Sequence, residues 1–231
     1  MQENLPPRLI AIADAPLWRE RAGRAPLAFA VGRLAAACRG RPWRTGLLLR
    51  QHNWSAAQWL DALQEFQWFG EFGMALGISA PRDGAGLEQR ALLAGQGVSW
   101  VQVPEGQAAA WHLAGAGDFV EAAPPLAWAR SCHDLAGVAA ALAAGAPWAT
   151  LSPVLPTPSK PAAAPLGWSV LTEACSLYPK RIVALGGMDA LAASQALRCG
   201  AAGVAVLGAW QEQPRALADA LSAADAGGAG T

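Results

Sequence analysis

Short, uninterrupted apolar runs alternate with helix-like segments along this chain. That rhythm limits the fold more than any other feature. The runs are Leu9–Ala13, Gly46–Leu49, Ala75–Ser79, Val98–Val103, Leu126–Arg130, Trp148–Ser152, Arg181–Leu185 and Val204–Leu207. They do not alternate polar with apolar, which is how parallel strands buried on both faces read. Helix-like stretches fall between them. One covers 27–37, and one follows Ser55 with Trp59, Leu63 and Phe66 on one face. Others cover 84–94, 134–144, 168–178 and 214–223, and one is capped by Asp189 and stops at Gly200. Residues 107–124 resist this pattern; a short helix is expected there. Eight strand–helix units over residues 1–224 predict an α/β fold, a single (β/α)8 TIM barrel. The Gly/Ala-rich 225–231 reads as a flexible tail. A doubly wound sheet competes, but no GxGxxG follows the first run, which counts against a dinucleotide-binding version.

Composition narrows the function. At 53% hydrophobic and 15% charged the chain can bury a large core. Seventeen basic residues balance 17 acidic ones, for a formal net charge of zero. Bulk attraction to nucleic acid or to an anionic membrane is therefore not expected, and any anionic ligand must be held by a local site. The four cysteines form no CxxC pair and no metal-ligand spacing. They read as reduced thiols of a cytoplasmic protein. Residues 1–8 lack the cationic and apolar regions of a signal peptide. No run reaches the ~18 apolar residues of a membrane span.

In such a barrel the strand ends share one face, and three strings sit at strand ends. Gly186-Gly187 follows the seventh run and precedes the helix capped by Asp189. Backbone N–H groups there can approach a phosphate, and Leu207-Gly208 ends the eighth run in a second small turn. These glycines also serve any tight turn, so alone they are weak evidence. His133 lies just past the fifth run and can act as acid or base near neutral pH, or simply be a structural histidine. Ser131, two residues earlier, shares its side of the strand. His52 and His112 are weaker candidates. The loop 153–165 carries five prolines with Thr157, Ser159 and Lys160, donors suited to phosphate oxygens. Arg50 ends the second run and can pair either with an anionic ligand or with Asp14. Trp168 can border the pocket, with core packing as the default for the tryptophans.

The strings Ser131-Cys-His133, Ser152-Pro-Val-Leu-Pro-Thr-Pro-Ser-Lys160, Pro165-Leu-Gly-Trp168, Ala184-Leu-Gly-Gly-Met188 and Gly203-Val-Ala-Val206 resemble the thiamin-phosphate synthase/TenI family. Their order and spacing match from about Arg130 to Trp210; before residue 125 the likeness is thin. The resemblance implies a (β/α)8 barrel and a thiazole phosphate ligand. It implies that Gly186, Gly187, Leu207 and Gly208 take the phosphate. Thr157, Ser159 and Lys160 fall on the synthases' Pro-Thr-x-Thr-Lys loop, and His133 on the acid/base histidine of the TenI-like tautomerases.

The synthase-specific half departs. Of the synthases' Gln-x-Arg-x-Lys after strand two only Arg50 survives. Ser79-Ala80 replaces Asn-Asp after strand three, and Ser99 is read in place of the aspartate beside strand four. Loss of those acids removes the expected Mg²⁺ ligands. The favoured expectation is a TenI-like thiazole phosphate tautomerase that uses no cofactor and no metal. A thiamin-phosphate synthase with substituted Mg²⁺ ligands is the alternative, and a non-catalytic thiazole or thiamin phosphate-binding barrel a third. A homo-oligomer is left open.

Overall fold

The structure, a computed structural model, describes residues 5–15, 21–84, 87–105 and 126–227. Eight parallel strands close into a barrel in chain order: β1 Leu9–Asp14, β2 Thr45–Arg50, β3 Ala75–Ser79, β4 Val98–Val103, β5 Ala127–Cys132, β6 Trp148–Leu151, β7 Ile182–Leu185 and β8 Gly203–Val206. Closure pairs Leu9–Ala11 with Val204–Val206. At the lower rim the Val204 N–H donates to Arg8 O at 2.9 Å, and Arg8 Nη1 donates to Ala202 O at 3.1 Å. The doubly wound alternative is thereby excluded.

Side-chain parity splits the core in two. Leu9, Ala11, Leu47, Leu49 and Ile78 face outward and pack under the helices, while Ile10, Ile12, Leu48, Trp100, Trp148, Val183 and Ala205 fill the barrel. Trp100 and Trp148 meet there with ring centroids 6.4 Å apart. The Trp100 indole occupies the space that side chains at Gly46 and Gly77 would need. A Cβ at Gly46 would lie 2.7 Å from the ring, and one at Gly77 closer still. Glycine on two strands therefore matches tryptophan on a third, which keeps the interior filled.

The helices are α1 Arg21–Cys38, α2 Ala56–Leu63, α3 Leu87–Gly95, α4 Leu135–Ala143, α5 Gly167–Leu177, α6 Ala190–Arg198, α7 Ala209–Glu212 and α8 Pro214–Gly227. Their starts follow from local chemistry. Ser55 and Gln58 form a capping box on α2, and Asp134 and Asp189 cap α4 and α6 by accepting the N–H of Gly137 and Ala192. Trp59 and Leu63 are buried in α2 as expected. Phe66 is buried too, but on a 3₁₀ segment, Gln64–Phe72, that takes over where the α-helix stops.

Two boundaries differ from expectation. β5 extends to Cys132 because Ser131 and Cys132 continue the ladder opposite Thr150 and Leu151. The last helix runs to Gly227, three residues into the segment read as a tail. The short α7 was not foreseen. Trp210 anchors it, fully buried, its indole N–H donating to Ile12 O at 2.9 Å. The helix expected within 107–124, and His112, lie outside the described residues.

Candidate active site at the C-terminal mouth of the barrel

A cavity of about 530 Å³ opens at the C-terminal ends of the strands. It gathers Arg50, Ser131, His133, Thr157, Ser159, Lys160, Gly186, Gly187, Leu207 and Gly208, and His52 stands with them. All the residues singled out from the strand ends thus share one chamber. Trp168 does not line it; α5 turns that ring, half buried, against the outer core.

His133 is held by its partners. Its Nδ1 lies 2.6 Å from the carbonyl oxygen of Ser152. A carbonyl only accepts, so Nδ1 carries the proton. In the neutral ring Nε2 then keeps its lone pair, and Lys160 Nζ sits 3.4 Å from it as donor. The hydrogen bond from β6 thus fixes the tautomer and leaves the basic nitrogen facing the ammonium at the mouth. The neighbouring thiol plays no such part. Cys132 is fully buried, and burial pushes it up to about 12, which keeps it a neutral thiol.

The proline-rich loop is closed on itself. Leu166 N–H donates to Pro153 O and Gly167 N–H to Val154 O, both at 2.9 Å, so its two ends run together. At its tip Thr157 and Ser159 hydroxyls lie 3.1 Å apart, and Lys160 N–H returns to Thr157 O at 3.1 Å. Its base lies on the diglycine turn, where Val154 N–H donates to Leu185 O at 2.9 Å and Leu155 N–H to Gly186 O at 3.2 Å. This contact explains the glycines. Gly186 and Gly187 have φ of 101° and 67°, a region other residues rarely adopt. A Cβ would meet Pro153 Cα at 2.8 Å or Leu155 Cβ at 2.6 Å. Gly208 differs: nothing lies within 4 Å of a Cβ there.

Arg50 resolves the choice left open by the sequence. It pairs with Asp14, Nε donating to Oδ1 and Nη2 to Oδ2, the latter at 2.7 Å. The two stand opposite each other in the β1–β2 register. The fork is spent on a neighbouring carboxylate, so the cation beside the histidine is Lys160.

The strand-four correspondence needs correction. Ser99 is half exposed, while its neighbours Trp100 and Gln102 point into the barrel. Ser99 faces the helices and occupies no ligand position. The mouth-side residues after β4 are Gln102, Pro104 and Glu105. Gln102 was missed, as were Ser79 and Thr150, which also line the cavity. Period-two parity applied to Trp100-Val-Gln102 and Trp148-Ala-Thr150 was the signal that would have found Gln102 and Thr150.

The mouth carboxylates do not make a cation cage. Asp14 is taken by Arg50, and Asp189 caps α6. Glu105 lies against the start of α4, where its Oε1 fills the space beside Gly137. Among the described residues no three His, Cys, Asp or Glu come together as metal ligands. Mg²⁺ is commonly held by one or two carboxylates together with substrate phosphates and water; with Asp14 and Asp189 hydrogen-bonded elsewhere, Glu105 is the carboxylate left at this mouth among the described residues.

Comparison with known proteins agrees with this architecture. The family described as Thiamine monophosphate synthase matches residues 107–210. A Geobacter sulfurreducens protein named "Putative thiamine-phosphate synthase" is 43% identical over 96 residues, 40% of this chain and 45% of its own length. A "Thiamine-phosphate synthase" of Mycolicibacterium gilvum is 38% identical over 96 residues, 40% of each chain. The matched segment thus spans less than half of either relative. The structure of a thiamine phosphate pyrophosphorylase from Pyrococcus furiosus superposes with a TM-score of 0.64 over 96% of this chain and 98% of that one. At 16% identity it shares the fold. Residues 107–210, and the barrel they complete, are thus similar to the thiamin-phosphate synthase/TenI family.

Proposed function

We propose that this chain is a thiazole phosphate tautomerase of the TenI type, acting in thiamin biosynthesis. The observation that carries the reading is the Nδ1–H bond from His133 to the Ser152 carbonyl, which leaves Nε2 free to move a proton. On this reading the backbone N–H groups of Gly186, Gly187, Leu207 and Gly208 hold the phosphate. The Thr157–Ser159–Lys160 tip covers the anion. Lys160 turns from Nε2 toward the incoming charge, and Nε2 takes a proton from the non-aromatic ring. The imidazolium returns it at a second ring position, giving the aromatic thiazole with no net proton change. The barrel interior under the ring excludes water from that exchange. Four free cysteines accord with a cytoplasmic setting; no helix among the described residues is long and apolar enough to cross a membrane.

A thiamin-phosphate synthase is the second reading. It is favoured by the names of the two relatives over the matched segment and by the retained Thr157, Ser159 and Lys160. The donor set of the mouth speaks against it, since Asp14 and Asp189 are engaged elsewhere. One assay separates the two. The purified chain is incubated with the non-aromatic thiazole phosphate tautomer, then with aromatic thiazole phosphate, pyrimidine diphosphate and Mg²⁺. Aromatisation that survives a chelator supports the tautomerase. Mg²⁺-dependent thiamin phosphate without aromatisation supports the synthase. Binding with neither product leaves a ligand-holding barrel.

A further inference from the structure

The strands β3 to β6 each send one polar side chain inward at the cavity floor: Ser79, Gln102, Ser131 and Thr150. Ser79, Gln102 and Thr150 are only 5%, 9% and 4% exposed. Barrel interiors are otherwise filled with branched apolar residues, and a buried polar group costs free energy unless it finds a partner. Across the cavity the lining includes the apolar Ile12, Leu48 and Ala205. The lining therefore has a polar half and an apolar half.

Donor accounting shows what the polar half offers. Gln102 Nε2 donates to Ser131 Oγ at 3.0 Å, so the Ser131 hydroxyl hydrogen points elsewhere. Ser79 Oγ accepts the Gln51 N–H at 3.3 Å, which leaves its hydrogen free too. Thr150 Oγ1 has no hydrogen-bond partner among the described residues. Hydroxyl donors thus converge on the cavity from three strands. None of these four side chains is charged, which disfavours an anion at this depth.

We infer that this arc is a subsite for an uncharged acceptor, the ring-nitrogen edge of a planar heterocycle, and that Thr150 and Gln102 set specificity for it. The apolar arc takes the opposite edge of the ring. Gln102 is a positioning residue, acting through Ser131, whereas Thr150 touches the ring. The inference rests on the reading that the β7–β8 turns hold the phosphate, which fixes which way the ring points.

Three probes test it on the full chain by ligand-observed NMR: a thiazolylethyl phosphate, the thienylethyl phosphate in which C–H replaces the ring nitrogen, and ethyl phosphate. The unsubstituted protein should prefer the thiazole to the thiophene by about tenfold, the equivalent of one hydrogen bond at 1.4 kcal/mol per decade. Thr150→Val, which keeps the side-chain shape, should cut that preference to about threefold or less. Gln102→Met should do the same through Ser131, and ethyl phosphate affinity should not change in either variant. Equal affinity of the unsubstituted protein for both rings overturns the inference, as does a preference that survives both substitutions. If ethyl phosphate and both rings all fail to bind, the phosphate reading falls and this inference with it.

Discussion

Gly208→Asp is the cleanest probe of the anion side of the cavity. Gly208 has φ −100° and ψ −50°, which any residue adopts, and an added Cβ meets nothing within 4 Å. The variant should fold, because the backbone is not strained and no neighbour must move. Its carboxylate would stand about 6 Å from a phosphate held at the β7–β8 turns. At an effective dielectric of about 40, suited to this exposed turn, each unit of like charge costs about 1.4 kcal/mol. A phosphate dianion therefore loses about 3 kcal/mol, or about 100-fold in affinity. At 0.15 M salt the Debye length of ~8 Å reduces this toward tenfold. Gly208→Asn has nearly the same shape without the charge and isolates the Coulomb part. Isothermal titration with thiazole phosphate at low and physiological ionic strength reads the effect. Asp and Asn variants of equal affinity at low salt, both folded, would refute an anion at these turns. Gly187→Asp cannot serve. Its φ of 67° and the Leu155 Cβ 2.6 Å from an added Cβ would displace the proline-rich loop and mix misfolding with repulsion.

His133→Asn should lower kcat for aromatisation by about 10²–10⁴ and leave phosphate affinity within a few fold; stopped turnover assays and titration check the split. His52→Asn should change kcat far less. Gly77→Ala drives a methyl into the Trp100 ring and should cost about 1–3 kcal/mol in urea unfolding. Combined with Trp100→Leu, the same Gly77→Ala change should cost less than it does alone, and simple additivity would contradict the close fit. Burial pushes the Cys132 and Cys175 thiols up to about 12, above the ~8.5 of an unfolded thiol. The unfolded chain therefore releases these protons first, so stability is intact below about pH 8.5. It then falls by about 1.4 kcal/mol per pH unit per thiol as pH rises toward 12. Urea midpoints at pH 8 and 10 under reductant should show the slope, and a Cys132→Ala, Cys175→Ala protein should lack that part of it.

Much of this protein was legible before its structure. Eight apolar runs separated by helix-length segments admit few layer arrangements, because strands apolar on both faces must be covered on both faces. Ser55, Asp134 and Asp189 announced their helices, since an N-cap is decided by a side chain and a backbone only a few residues apart. The placement of His133, Lys160 and Gly187 at one mouth followed from parallel strands alone: their C-terminal ends cannot separate. What needed the tertiary structure were relations between strands distant in sequence. Asp14 claims Arg50 across 36 residues, and only the β1–β2 register sets them opposite. The Ser152 carbonyl reaches His133 across 19 residues and chooses its tautomer. Ser99 loses its assigned place because strand parity is counted from the inward Trp100, whose direction is decided by Gly46 and Gly77 on neighbouring strands. Local sequence sets period, caps and turns. Which polar groups meet, and which nitrogen is left with a lone pair, is decided by barrel closure, which brings remote strand ends within hydrogen-bonding distance.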